Sequence, residues 1–229
     1  MSGILVFTDS RGSHVDERYD NFTTYAERLR SEFDAEVYVR PEYWTTILDF
    51  IAFMEDNRKY YEKVILHAGI VDWLPKPHSY LRKVLDSKIF GREETKEEFS
   101  ERFFAERSKT QLIRNNMVKY RGEHTSNLYS LDMAYQFVIP ALEKFDNLLF
   151  ISANGFVEGW DGDYPNGPRP EHANIVKLYS EMFERRLRSV SLSRFTDTDI
   201  MNLTHDNIHP NRAGDHYLLM KSLDFIYGW

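Results

Sequence analysis

Gly3-Ile4-Leu5-Val6-Phe7-Thr8, running straight into Asp9-Ser10-Arg11-Gly12-Ser13, orders the rest of the chain. A short, nearly continuous apolar run that ends in a polar, glycine-containing turn is the pattern of a strand buried on both faces. The pattern returns at 35–39, at Val64-Ile65-Leu66-His67, at Leu148-Leu149-Phe150-Ile151-Ser152 and, weakly, at 190–192. Helical periodicity fills the intervals. Phe22, Tyr25, Ala26 and Leu29 share one face of a helix over about 21–33, and Ile47, Leu48, Ile51, Phe53 and Met54 mark a second after Pro41. A third is expected over 171–187, and a last one from about Asn211 carries Leu218, Leu219, Leu223 and Ile226. Strand and helix in alternation predict an α/β fold, a doubly wound parallel sheet of about five strands.

One interval is longer than a crossover needs. From 79 to 121 the chain is charged and helical in pattern with no strand candidate, and a second helical stretch over 128–145 should break or kink at Pro140. Residues from about 79 to 145 are therefore expected to form a helical insertion that caps the sheet, covers a site or joins two copies of the chain. Phe99, Phe103 and Phe104 recur at helical spacing and should pack inward. At 229 residues the whole chain, 1–229, is expected to be one domain.

Composition narrows the functions. A formal net charge of −7 argues against general nucleic-acid binding, which needs a basic surface. With no cysteine there is no disulfide, thiolate metal site or cysteine nucleophile. No stretch is long enough to span a membrane, and the first strand begins too early for a leader peptide, so the cytoplasm is the expected compartment.

Parallel sheets place their sites outside the carboxyl ends of the strands. Asp9-Ser10 follows the first strand, Gly69-Ile70-Val71-Asp72-Trp73 the third and Asn154 the fourth. The loop over 153–170, rich in Gly, Pro, Asp and Asn, carries Trp160 and Tyr164 and has the length of a functional loop. Ahead of the last helix stands Asp206-Asn207-Ile208-His209-Pro210-Asn211. An Asp and a His this close can pair, the carboxylate fixing the imidazole tautomer and leaving the other ring nitrogen as a base. His205, Asp206, His209 and His216 also raise a metal site. Against it stand a loop setting followed by Pro, the lack of Cys, and the need for three or four converging ligands. Neither metal nor organic cofactor is expected.

Serine first and Asp-x-x-His last resembles the SGNH (GDSL-like) hydrolase superfamily. The resemblance is close at Asp206-x-x-His209-Pro210 and partial at Thr8-Asp9-Ser10, where the family has Gly-Asp-Ser. It implies a flavodoxin-like sheet, Ser10 as nucleophile, His209 as general base and acid, and Asp206 as its orienting carboxylate. The family's second block offers a Gly N–H to the oxyanion, but Arg40-Pro41-Glu42-Tyr43-Trp44-Thr45-Thr46 has no Gly. The third, Gly-x-Asn-Asp, reads Gly69-Ile70-Val71-Asp72, with Val71 at the position of the donating Asn. A backbone N–H near Tyr43–Trp44 or the Asn154 amide is the expected substitute. Asp9, Gly69, Val71, Asp72, Trp73, Asn154 and Trp160 are the expected substrate-binding residues. The resemblance implies a serine esterase or O-acyltransferase acting on a small-molecule or glycan ester. A carbohydrate carrier is read from Trp73, Trp160, Asp161, Asp163 and Tyr164. The alternative is a non-catalytic module of the same fold that binds a glycan or a protein.

Overall fold

The computed structural model describes residues 3–13, 22–39, 44–57, 61–104, 118–164, 168–170 and 172–228. In chain order these form β1 (Ile4–Thr8), a 3-10 turn (Ser10–Gly12), α1 (Tyr25–Phe33), β2 (Glu36–Val39), α2 (Ile47–Asn57), β3 (Lys63–His67) and α3 (Ile70–Trp73). There follow β4 (Lys76–Pro77), α4 (His78–Asp86), α5 (Lys96–Phe104), β5 (Lys119–Tyr120), β6 (Glu123–Ser126), α6 (Leu131–Met133) and α7 (Ile139–Leu142). The chain finishes with β7 (Leu148–Ile151), α8 (Ile175–Glu184), β8 (Ser189–Val190), α9 (Asp197–Leu203) and α10 (Arg212–Tyr227).

The expected sheet is present. Five parallel strands lie in the order β2-β1-β3-β7-β8, the flavodoxin-like arrangement. Strand side chains alternate between faces, and the core divides accordingly. Leu5, Phe7, Val64, Leu66, Leu148 and Phe150 face one apolar cluster; Val6, Ile65, Leu149 and Ile151 face the other. Both faces are covered, which is why these strands read as apolar runs. Strand order reverses between β1 and β3, so the turn after β1 and the turn after β3 sit beside the switch-point crevice.

Local chemistry sets the helix starts. Thr24 caps α1 with a full capping box to Glu27, so the helix begins at Tyr25 rather than at 21. Asn211 caps α10, its side chain accepting from the Ala213 and Gly214 N–H groups. Gly214 lets α10 approach the preceding segment: a Cβ there would stand 2.0 Å from the Leu203 carbonyl oxygen. The Tyr25 N–H at the start of α1 donates to Asp215 across 2.7 Å.

The insertion departs from expectation. It contains strands: β5 and β6 form a small antiparallel sheet with β4, which precedes the insertion, and Lys119–Tyr120 falls within the stretch read as strandless. These strands are two to four residues long, too short for a period-2 signal. Phe99 and Phe104 are fully buried and Phe103 packs against the same core, as expected. The chain around Pro140 continues as helix, with the missing N–H absorbed by a π-helical turn over Ala134–Val138. Among the described residues no helix is long and apolar enough to cross a membrane.

Burial pushes the Asp215 carboxyl up to about 7, against the Tyr25 hydrogen bond. The unfolded chain ionises near 4, so this group favours unfolding progressively as pH rises from about 4 to about 7. Asp215→Asn keeps an acceptor for Tyr25 and removes the titration. Its melting temperature relative to wild type is expected to rise between pH 4.5 and 7.5; a constant difference would show that Asp215 does not titrate in this window.

Candidate active site

Ser10 opens the 3-10 turn at the end of β1, and His209 lies in the loop between α9 and α10. Ser10 Oγ and His209 Nε2 are 3.2 Å apart. His209 Nδ1 lies 3.0 Å from Asp206 Oδ2 and 3.1 Å from Oδ1. The three expected chemical residues are thus brought together in a hydrogen-bonded row. Unlike Ser10, His209 does not follow a strand directly. α9 intervenes after β8, and the Thr196–Asp199 capping box that starts α9 was its overlooked signature.

The loop carrying His209 is closed on itself. Thr204 bridges Pro210, the His205 N–H donates to the His209 carbonyl at 2.8 Å, and the Asn211 N–H donates to the Leu203 carbonyl at 3.0 Å. Asp206 Oδ1 accepts from the Ile208 and His209 N–H groups at 3.1 and 2.8 Å. Arg169 Nη2 donates to Asp206 Oδ2 at 3.1 Å and to its carbonyl at 2.8 Å. Burial opposes the charge on Asp206, yet the hydrogen bonds and charge of His209, with Arg169, outweigh it and hold the carboxyl well below the usual range. An ionised carboxylate only accepts, so the His209 Nδ1 carries the proton and Nε2 is left to accept from Ser10 Oγ–H.

The expected binding residues divide. Val71 lines a cavity of about 360 Å³ that opens beside Ser10 and His209. Gly69 has φ +120°, and a Cβ there would meet the Trp73 ring at 2.6 Å, so its glycine is explained by packing. Trp73 does not face the site. It is fully buried, stacked on Tyr179 at 5.6 Å, with Nε1 donating to Tyr129 Oη at 3.2 Å. Asp72 is fully buried and accepts from the Ile47 N–H at the start of α2 through both oxygens, each at 3.2 Å. Burial pushes it up to about 7, against that hydrogen bond. Asp9 is fully buried as well, both oxygens held by the Arg11 guanidinium at 2.9 Å, while Arg11 Nη1 donates to the Ser152 carbonyl at 3.0 Å. That pair ties the serine turn to the end of β7 and offers nothing to a substrate. Asn154 uses both amide hydrogens on the Gly155 and Asn207 carbonyls at 2.7 and 2.8 Å, so it cannot be the substitute oxyanion donor. Trp160 is not in the cavity lining; its carbonyl accepts from Asn207 Nδ2. Of Tyr43–Trp44, near which a backbone donor is expected, Tyr43 lies outside the described residues and Trp44 lines the cavity.

Of the side chains in the remaining cavity wall, only Tyr164 is expected from the sequence. Arg169, Lys76, Arg121, Trp44, Tyr80, Tyr120 and Tyr164 all line it, several of them from the insertion. Arg169 sits in the loop already marked as functional; the other charged residues gave no signal, because their convergence is tertiary.

No family model matches the chain, and no curated protein matches it. A crystal structure named "putative GDSL-like lipase" from Parabacteroides merdae ATCC 43184 aligns over 98% of this chain and 95% of its own. Its sequence identity is 12% and its TM-score 0.44. Overlap at that score and identity fixes neither family nor activity.

Proposed function

We propose that this chain is a serine esterase or O-acyltransferase. The observation that carries the reading is the row Ser10 Oγ, His209 Nε2, His209 Nδ1, Asp206 Oδ2, with spacings of 3.2 and 3.0 Å, opening onto a cavity large enough for a small ester. In this reading Ser10 Oγ attacks the ester carbonyl while its proton passes to His209 Nε2. The alcohol leaves with that proton, and water or an acceptor hydroxyl resolves the acyl-enzyme by the reverse path. The Ser10 N–H, at the head of its turn, is not taken by any hydrogen bond among the described residues and can serve the oxyanion. Of the residues that motivated a carbohydrate carrier, only Tyr164 lines the cavity.

A second reading, a binding module without chemistry, is favoured by one observation. Val71 has no donor to offer, and the Asn154 amide is fully occupied. A fluorophosphonate probe separates the two. We expect covalent labelling of wild type that Ser10→Ala abolishes and His209→Ala slows strongly. A folded wild-type protein that never labels, with a thermal transition intact, would leave the binding module standing.

A further inference from the structure

The cavity beside Ser10 has an unusual charge. The chain carries 36 acidic and 29 basic side chains, yet among the described residues the cavity lining holds Lys76, Arg121 and Arg169 and no carboxylate. Asp206 is 1% exposed behind the wall and is shared between Arg169 and His209. When His209 takes a proton, one carboxylate faces two cations. Arg169 is only 10% exposed, and its guanidinium lies over the Tyr164 ring at 3.3 Å. Its hydrogen bonds among the described residues all run through Nη2, and Nε is buried with no partner. Lys76 Nζ sits on the carbonyls of Val71, Ile70 and Leu74 at 2.9, 3.2 and 3.4 Å, with the Tyr80 ring 5.9 Å away. Among the described residues Lys76 has no ion pair, and burying an unpaired cation is costly unless something of opposite sign completes the site.

We propose that the substrate carries an anionic group, a carboxylate or a phosphate monoester, seated against Arg169, Lys76 and Arg121 while the ester carbonyl lies over Ser10. The proposal rests on the serine-hydrolase reading for its reaction but not for its binding. Arg169 supplies a donor fork, Lys76 a point charge and Arg121, exposed at the rim, a steering charge. The rings of Trp44, Tyr80 and Tyr164 contact the apolar part of the molecule. Burial pushes the Lys76 ammonium down to about 7 against the charges of Asp72 and Asp9, and the Arg169 charge pushes the same way as burial. A bound anion reverses that pressure.

The test compares three aryl esters of matched length: a neutral butyrate, a hydrogen glutarate ending in carboxylate, and an analogue ending in a phosphate monoester. Wild type is expected to prefer at least one charged ester over the neutral one by ~10-fold or more in kcat/KM, the size of a charge-assisted hydrogen bond. The better of the two charged arms identifies the anion. That preference should shrink by ~10-fold in Lys76→Met and by a smaller factor in Arg121→Gln, whose exposed position makes misfolding a poor explanation. A wild type that favours the neutral ester, or variants with the same preference as wild type, overturns the proposal. Should Ser10 prove unreactive, so that the hydrolase reading fails, calorimetry with glutarate and phenyl phosphate decides the anion site alone. Saturable binding weakened in Arg121→Gln and Lys76→Met sustains it, and no binding at millimolar ligand overturns it.

Discussion

Asp206→Asn is expected to leave the fold in place and to lower kcat by as much as ~10⁴, the loss seen when a triad carboxylate becomes an amide. The geometry says why. The amide oxygen can keep the position of Oδ1, accepting from the Ile208 and His209 N–H groups that shape the loop. The amide nitrogen then occupies the place of Oδ2, opposite His209 Nδ1. Two donors cannot share that hydrogen bond, so His209 moves its proton to Nε2 and can no longer accept from Ser10. Arg169 retains the Asp206 carbonyl, which limits the structural damage. Stability should also change with a definite sign. A carboxylate held below its usual range contributes stability that is full above about pH 4 and fades as pH falls. The variant should therefore lose melting temperature against wild type at pH 7 and converge with it in acid. Equal turnover by variant and wild type on a Ser10-dependent substrate would remove Asp206 from the mechanism.

The other large effect is a gain. Each preorganised donor aimed at an ester oxyanion is worth roughly 3–4 kcal/mol, or ~10²–10³ in rate. Val71 offers none and lines the cavity beside Ser10, while the Asn154 amide is engaged elsewhere. Wild type should accordingly be a slow hydrolase of simple activated esters. Val71→Asn, similar in volume and able to donate, is expected to raise turnover of a short aryl ester by up to ~10², with the gain lost in Val71→Asn/Ser10→Ala. Fast wild-type turnover would reveal a donor already in place. A well-folded Val71→Asn with no gain would count against acyl transfer as the chemistry of the site.

The parts of this structure that the sequence discloses are those governed by short-range pattern. β1, β3 and β7 are buried on both faces and read as apolar runs; Asp206 and His209 meet because three residues on a closed loop bring them within reach. Long-range pairing is what stayed hidden. Nothing near Asp9 announces that both its oxygens belong to Arg11, or that Arg11 reaches the end of β7. Trp73 follows β3 and so reads as site-facing, but the short helix α3 turns it into the core against Tyr179. The cavity wall needs Lys76, Arg121 and Arg169 from three separate segments, and no periodicity links them.

The hydrogen bond between Ser10 and His209 spans 199 positions of chain. Domains are made from the amino end onward, at a few residues per second in slow hosts and tens in fast ones. Ser10 is therefore synthesised before the other described residues of the site, and His209 after them. Until His209 has been made, Ser10 Oγ lacks the Nε2 partner that stands 3.2 Å from it in the folded chain. In the proposed reading, the hydrogen bond that would activate Ser10 is thus among the last of the site to become possible.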